Sequence, residues 1–191
     1  MKQDETRRKL IEGTIRVIAE KGLDNATTKQ IGTTTGLNEA YIYRCFSGKE
    51  DLFAKTFITL DKELLEQILQ NMPILYNTEE EWEDRCRRFF YTFWDFVIAR
   101  RERCLAFIRY FYSPYFAKNS MEEHTRLYQP VLKAFSTAFR PEADVWMILN
   151  HMLNVVMDFA VKVHIGQMPN TEDYSEHVFR VIYRSVEQYF R

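Results

Sequence analysis

Apolar residues recur at intervals of three and four along nearly the whole chain, and no stretch shows the strict alternation of a half-buried strand. Leu10, Ile11, Thr14, Ile15, Val17 and Ile18 predict a first helix over residues 4–21, with Gly22 at its C′ position. Thr27-x-x-Gln30 reads as a capping box opening a short helix, and Gly36 supplies a turn that Leu37 anchors. Asn38 suits the N-cap of a second short helix reaching Phe46. Ser47-x-x-Glu50 is another capping box; it opens a longer helix, Gly48 to Gln70, with Leu52, Phe53, Phe57, Leu60 and Leu64 on one face. Met72-Pro73 ends that helix.

Beyond Pro73 the pattern remains helical. Thr78-x-x-Glu81 predicts the start of a helix carrying Trp82, Cys86, Phe89, Phe90, Phe93, Trp94, Val97 and Ile98. A break near Arg100 to Glu102 separates it from Cys104 to Tyr112, which Ser113-Pro114 closes. Ser120-x-x-Glu123 opens a helix to about Phe139, with Pro130 inside it as a kink. Pro141 fits the first turn of a helix over 141–165, and Thr171 caps a last helix over 172–190. The expected fold is all-α, with about nine helices.

Two short helices about a glycine turn form a helix-turn-helix, whose second helix is shaped to enter a DNA major groove. Within it, Thr27, Thr28, Ile31, Gly36, Leu37, Asn38, Ile42, Tyr43, Phe46, Lys49, Glu50 and Leu52 stand in register with one known signature. The run resembles the DNA-binding segment of TetR/AcrR-type transcriptional regulators. Gly32 and Thr35 depart from the alanines usual in that family, and Cys45 replaces a histidine or other polar residue. The resemblance implies an N-terminal three-helix DNA-binding domain, residues 1–50 extending into the linking helix 48–71. A helical ligand-binding and dimerisation bundle, 51–191, follows it.

The same resemblance implies phosphate contacts by Thr28, Tyr43 and Lys49, whose plainer roles are a cap, a half-buried tyrosine and a solvated lysine. Base reading falls to Lys29, Glu39, Ala40, Tyr41 and Arg44. A glutamate can accept from cytosine, an arginine can bind guanine and an alanine methyl can touch thymine. Arg7, Arg8 and Lys9 either reach phosphates as an N-terminal arm or form an ordinary solvated end. Cys45 is either a redox switch or a small packing residue beside DNA. One such head contacts too little DNA to be specific alone, so a homodimer on a palindromic operator is expected, joined through the last two helices.

Composition changes this picture little. The formal net charge is −1, and residues 1–50 hold nine Lys/Arg against seven Asp/Glu, a mild bias that would not identify a DNA binder alone. The low charge leaves room for a second reading, a helical interaction protein of the same fold that no longer binds DNA. Three dispersed cysteines, Cys45, Cys86 and Cys104, fit a reducing compartment. With no secretory segment and no long apolar run, a cytoplasmic protein without a membrane partner is expected.

Catalytic and cofactor motifs are missing from the sequence: no Gly-rich phosphate loop, no nucleophile elbow, no HExxH, and no Glu followed by His three residues later. Neither an enzyme nor a bound cofactor is expected.

Of 29 aromatic residues, 24 lie in 73–191, so a pocket for a flat or greasy effector belongs there rather than in the head. Candidate lining residues are Phe90, Trp94, Phe107, Phe111, Tyr128, Trp146, Met147 and His151. Asn150, Asn154 and Asp158 form an i, i+4, i+8 stripe that lines either the cavity or the dimer seam. Arg109 pairs with Asp95 or meets an anionic effector. The function that results is a ligand-responsive, sequence-specific DNA-binding regulator, a homodimeric repressor released from its operator by a small hydrophobic or aromatic molecule.

Overall fold

The computed structural model describes residues 3–191. Among them are ten α-helices and no strand: α1 (Gln3–Lys21), α2 (Thr28–Thr35), α3 (Ala40–Cys45), α4 (Lys49–Asn71), α5 (Trp82–Ile98), α6 (Arg101–Phe111), α7 (Pro114–Asn119), α8 (Met121–Phe135), α9 (Val145–His164) and α10 (Glu172–Val186). Two 3₁₀ turns, Met72–Tyr76 and Glu187–Tyr189, follow α4 and α10. The chain forms two compact units, one ending at Glu63 and including Glu102–Arg126, the other made of Leu64–Arg101 and Leu127–Arg191. The expected boundary after residue 50 falls inside the first unit, and 102–126, assigned from sequence to the second domain, packs with the first. Only α4 and α8 contribute several residues to each.

In the first unit α1, α2 and α3 close around Leu10, Ile15, Ile18, Ile31 and Ile42, all at 0–1% exposure. Local chemistry sets their ends. The Thr27 hydroxyl accepts from the Gln30 amide at 3.2 Å while the Gln30 side chain accepts from the Thr27 amide at 3.0 Å, the expected capping box. Gly36 takes φ 65°, and the Asn38 side chain accepts from the Ala40 amide at 2.9 Å as α3 begins.

The two departures from the family's alanines have a steric explanation. A Cβ on Gly13 would lie 2.1 Å from Thr35 Cγ2, and a Cβ on Gly32 would lie 2.8 Å from the Leu37 carbonyl. The larger Thr35 is thus accommodated by a glycine on α1, while Gly32 lets the turn into α3 fold back against α2. Thr35 cannot simply rotate away, because its hydroxyl donates to the Ile31 carbonyl at 2.8 Å.

Cations on α6 and α7 tie that segment to the rest of the unit. Arg109 donates to the Ile18 and Ala19 carbonyls at 2.6 and 2.9 Å, capping the C-terminus of α1. This replaces the expected pairing with Asp95 or an anion. Arg103 bridges Glu12 of α1 and Glu63 of α4 at 2.8 and 2.9 Å. Asp61 of α4 and His124 of α8, 0% and 3% exposed, share a 2.8 Å hydrogen bond. Phe57, Phe111 and Phe116 all lie with ring centroids within 6.1 Å of His124.

The second unit packs α5, α9 and α10 with the ends of α4 and α8 around Leu65, Met72, Val131, Phe135, Phe139 and Ile148. The C-terminal residues join this core, with Phe190 stacked on Phe139 at 5.2 Å.

Three of the capping boxes read from sequence do not form. The Ser47 amide is taken by Asp51 at 3.0 Å, while Glu50 accepts from Lys118 at 2.9 Å. No side-chain cap closes α5, because the helix starts at Trp82 with Glu81 at the N-cap, three residues beyond Thr78. Ser120 shares a 2.9 Å hydrogen bond with the Tyr110 hydroxyl, and the short α7 precedes it where a loop was expected. Pro141 lies ahead of α9, whose cap is Asp144, accepting from the Met147 amide at 2.9 Å; α8 ends at Phe135 rather than near 139. At Ser47 and Ser120 a competing partner within reach displaces the local motif.

Gly13→Ala is expected to destabilise the protein by about 1–3 kcal/mol through overpacking, and Thr35→Ala in the same chain to recover most of that loss. Urea unfolding of the two single variants and the double variant checks the pair; strictly additive effects would contradict the contact. Asp61→Ala, which removes the carboxylate bonded to the buried His124, is expected to cost about 3–5 kcal/mol, and Asp61→Asn, which retains an acceptor, clearly less. Equal losses in the same unfolding assay would remove the hydrogen bond from the account.

Candidate nucleic-acid interface and apolar cavity

Helix α3 is six residues long, and its two buried side chains, Ile42 and Cys45, face the first unit's core. Ala40, Tyr41, Tyr43 and Arg44 are all exposed, Tyr43 at 63%. The helix therefore presents four of the sequence-predicted DNA contacts on its outer side, with Arg44 lying over the Tyr41 ring at 5.3 Å. Such an arrangement offers a cation and two phenols at the edge of a short helix, the chemistry that meets phosphates and base edges.

The remaining candidates flank it. Lys29 is exposed on the first turn of α2, and Lys49 stands at the first residue of α4 with its ammonium over the Phe53 ring at 5.2 Å. Thr28 and Glu39 are brought together, the hydroxyl donating to the carboxylate at 3.1 Å. Arg7 is held inward: its guanidinium donates to the Cys45 carbonyl and lies over the Phe46 ring at 4.6 Å. Only Arg8 and Lys9 of that trio are left exposed at the start of α1. Cys45 is 7% exposed on the core side of α3, which matches a packing role.

A cavity of about 100 Å³ lies in the second unit. Its wall includes Ile68 from α4, Trp82 and Cys86 from α5, Tyr128 from α8, Leu153 from α9 and Tyr183 from α10. Of the residues expected to line a pocket, Phe90 and Tyr128 do. Trp94 is buried behind the wall, stacked on Phe90 at 5.8 Å, and Trp146 packs edge-on against Tyr128 at 6.1 Å. Phe107 and Phe111 belong to the first unit, stacked on each other at 5.8 Å. Met147 is 55% exposed, and the exposed His151 shares a 2.8 Å hydrogen bond with Ser185 of α10.

The polar stripe on α9 stays off the cavity wall as well: Asn150 donates to its own helix at the Trp146 carbonyl, 2.9 Å, and Asp158 pairs with Lys162. The lining residues missed from sequence come largely from one stripe of α5, Trp82, Cys86, Phe89 and Phe93, and from Phe179, Ile182 and Val186 of α10. Their three- and four-residue spacing was visible, but it read as core, which it also is. Burial pushes the Cys86 thiol up to about 12, so it is a neutral wall atom and not a nucleophile. Tyr183 is likewise pushed up, chiefly by burial.

Comparison with known proteins places these features. Residues 10–56 match the family of bacterial regulatory proteins, tetR family. The chain is 28% identical over 194 residues to the uncharacterized HTH-type transcriptional regulator YvdT of Bacillus subtilis (strain 168), covering 93% of each chain. It is 26% identical over 100 residues to the HTH-type nicotine-responsive transcriptional repressor HdnoR of Paenarthrobacter nicotinovorans, 52% of this chain and 50% of that one. A TetR-family transcription regulator from Marinobacter aquaeolei VT8 shares the fold with a TM-score of 0.71 at 18% identity, over 95% of both chains. The helix-turn-helix geometry, the family match over it and the full-length similarity to a transcriptional regulator converge: residues 10–56 form a DNA-binding segment of the tetR-family kind, and the chain as a whole is similar to transcriptional regulators that carry it.

Proposed function

We propose that the protein is a homodimeric repressor, released from a palindromic operator by a small hydrophobic or aromatic effector. The observation that carries the reading is the division of α3 into a buried side, Ile42 and Cys45, and an exposed side, Ala40, Tyr41, Tyr43 and Arg44. On the operator, Thr28, Tyr43 and Lys49 take phosphates, while Lys29, Glu39, Ala40, Tyr41 and Arg44 face base edges. Without DNA the Thr28 hydroxyl donates to the Glu39 carboxylate at 3.1 Å, and its one proton leaves that bond to reach a phosphate. A carboxylate there disfavours phosphate and favours a cytosine amino group, so it adds selectivity rather than affinity.

Dimerisation through α9 and α10 is supported by the apolar side chains these helices leave in solvent. Met147 is 55% and Val181 53% exposed, and α9 is apolar on more faces than its own unit covers. Two heads on a two-fold axis supply the contacts that one short helix cannot. A cytoplasmic location accords with access to DNA.

Effector release is supported by the apolar cavity and by the path of α4, one continuous helix from Lys49 to Asn71 with Ile68 on the cavity wall. An occupant that binds one arrangement of that wall better than another biases the position of the whole helix, including Lys49 at its start. The nicotine-responsive repressor among the relatives supports an effector-controlled repressor as a class.

Lys49→Ala is expected to weaken binding to operator and to unrelated DNA alike, and to lower the slope of log affinity against log salt by about 1. Fluorescence anisotropy at several salt concentrations measures both quantities. An unchanged slope would take Lys49 off the phosphate backbone.

A further inference from the structure

The effector reading above leaves the chemistry of the ligand open, and the cavity wall narrows it. None of its residues is charged, and none is His, Asn, Gln, Ser or Thr; heteroatoms enter only through Trp82, Cys86, Tyr128, Tyr183 and the Met152 thioether. Two guanidiniums lie over lining rings, Arg85 on Trp82 at 5.0 Å and Arg87 on Phe179 at 4.8 Å, yet neither lines the cavity. Both are engaged elsewhere: Arg87 with Glu83, Asp84 and Glu176, and Arg85 with the Leu75 carbonyl at 2.9 Å.

We propose that this cavity takes an uncharged, hydrocarbon-like ligand of about one ring, and rejects both ammonium and carboxylate groups. An ion moved from water into this wall would lose its hydration and gain no counter-charge, so its charge works against binding. An apolar ring loses little and gains dispersion contacts with the aromatic residues of α5 and α10. The space is smaller than an engineered cavity of about 150 Å³ that stays dry and binds benzene, so the wall must yield slightly. Met152, an unbranched and polarizable lining side chain, is suited to that. The indole N–H of Trp82, buried with no hydrogen-bond partner, is a donor that a single ether or carbonyl oxygen on the ring can use.

The test is titration of the full chain, without DNA, by toluene, benzylammonium and benzoate, which share one ring and differ in charge. Thermal unfolding and calorimetry should show toluene binding and raising Tm, with each ion at least about tenfold weaker. An ion that binds as tightly as toluene overturns the proposal, as does failure of toluene to bind at its aqueous saturation. Cys86→Phe, which places a ring in the space, should abolish toluene binding with the helical circular dichroism retained. Leu153→Phe does the same from α9 should the first variant not fold. Toluene binding that survives in a folded filled variant overturns the location. Operator release is read separately: toluene that binds while the operator stays bound supports the ligand class and removes the effector reading.

Discussion

A carboxylate with no exposed surface lies at the centre of the first unit. Asp61 and His124 sit in an apolar, ring-lined interior, where an unpaired charge or donor would cost several kcal/mol, and the hydrogen bond between them offsets part of that cost. They belong to α4 and α8, the helices that contribute to both units. Their pairing sets the register of those helices within the first unit, and each helix then continues into the cavity wall, through Ile68 on α4 and Tyr128 on α8. A buried polar pair is a poor source of stability compared with apolar packing of the same volume.

The reading head is larger than its three-helix signature. Arg109 closes the C-terminus of α1, Arg103 joins α1 to α4, and Lys118 holds Glu50 next to Lys49. The Lys118–Glu50 pair is well exposed and contributes little by itself. Arg109 differs, because it donates to two carbonyls in the last turn of α1, of which Ile18 also accepts from the Gly22 amide at 3.0 Å. The first half of α4, whose start is proposed to contact phosphate, packs against α7, a six-residue helix that no family signature in the sequence announced: Phe53 meets Tyr115 edge-on at 6.3 Å and Phe57 meets Phe116 at 5.3 Å.

What was legible in the sequence was whatever depends on neighbours a few residues away. Thr27 with Gln30, Gly36, Asn38 and Thr171 all cap or turn the chain as their local chemistry dictates. Ser47 and Ser120 have the same local pattern and do not cap, because Asp51 and Tyr110 offer or take competing bonds, while Thr78 lies three residues ahead of the Glu81 N-cap. The outward residues of α3 were named through the family resemblance, and the burial of Ile42 and Cys45 beside the exposed Tyr41, Tyr43 and Arg44 agrees with it. The cavity did not: Phe90 and Phe107 look alike in sequence, and only packing assigns one to the cavity wall and the other to the first unit. The unusual Gly32 and Thr35 were visible as departures, but their reason lies on α1, at Gly13, and in the Leu37 carbonyl.

The reading of this protein as a repressor assumes that α3 reads sequence rather than merely resembling helices that do. The direct measurement is the affinity of the full chain for the DNA upstream of its own gene against a scrambled duplex of equal length, at one physiological salt concentration. A sequence-reading dimer should prefer the former by a factor on the order of 10³ or more. Equal affinity for the two, in protein confirmed to be folded and dimeric, would contradict the account.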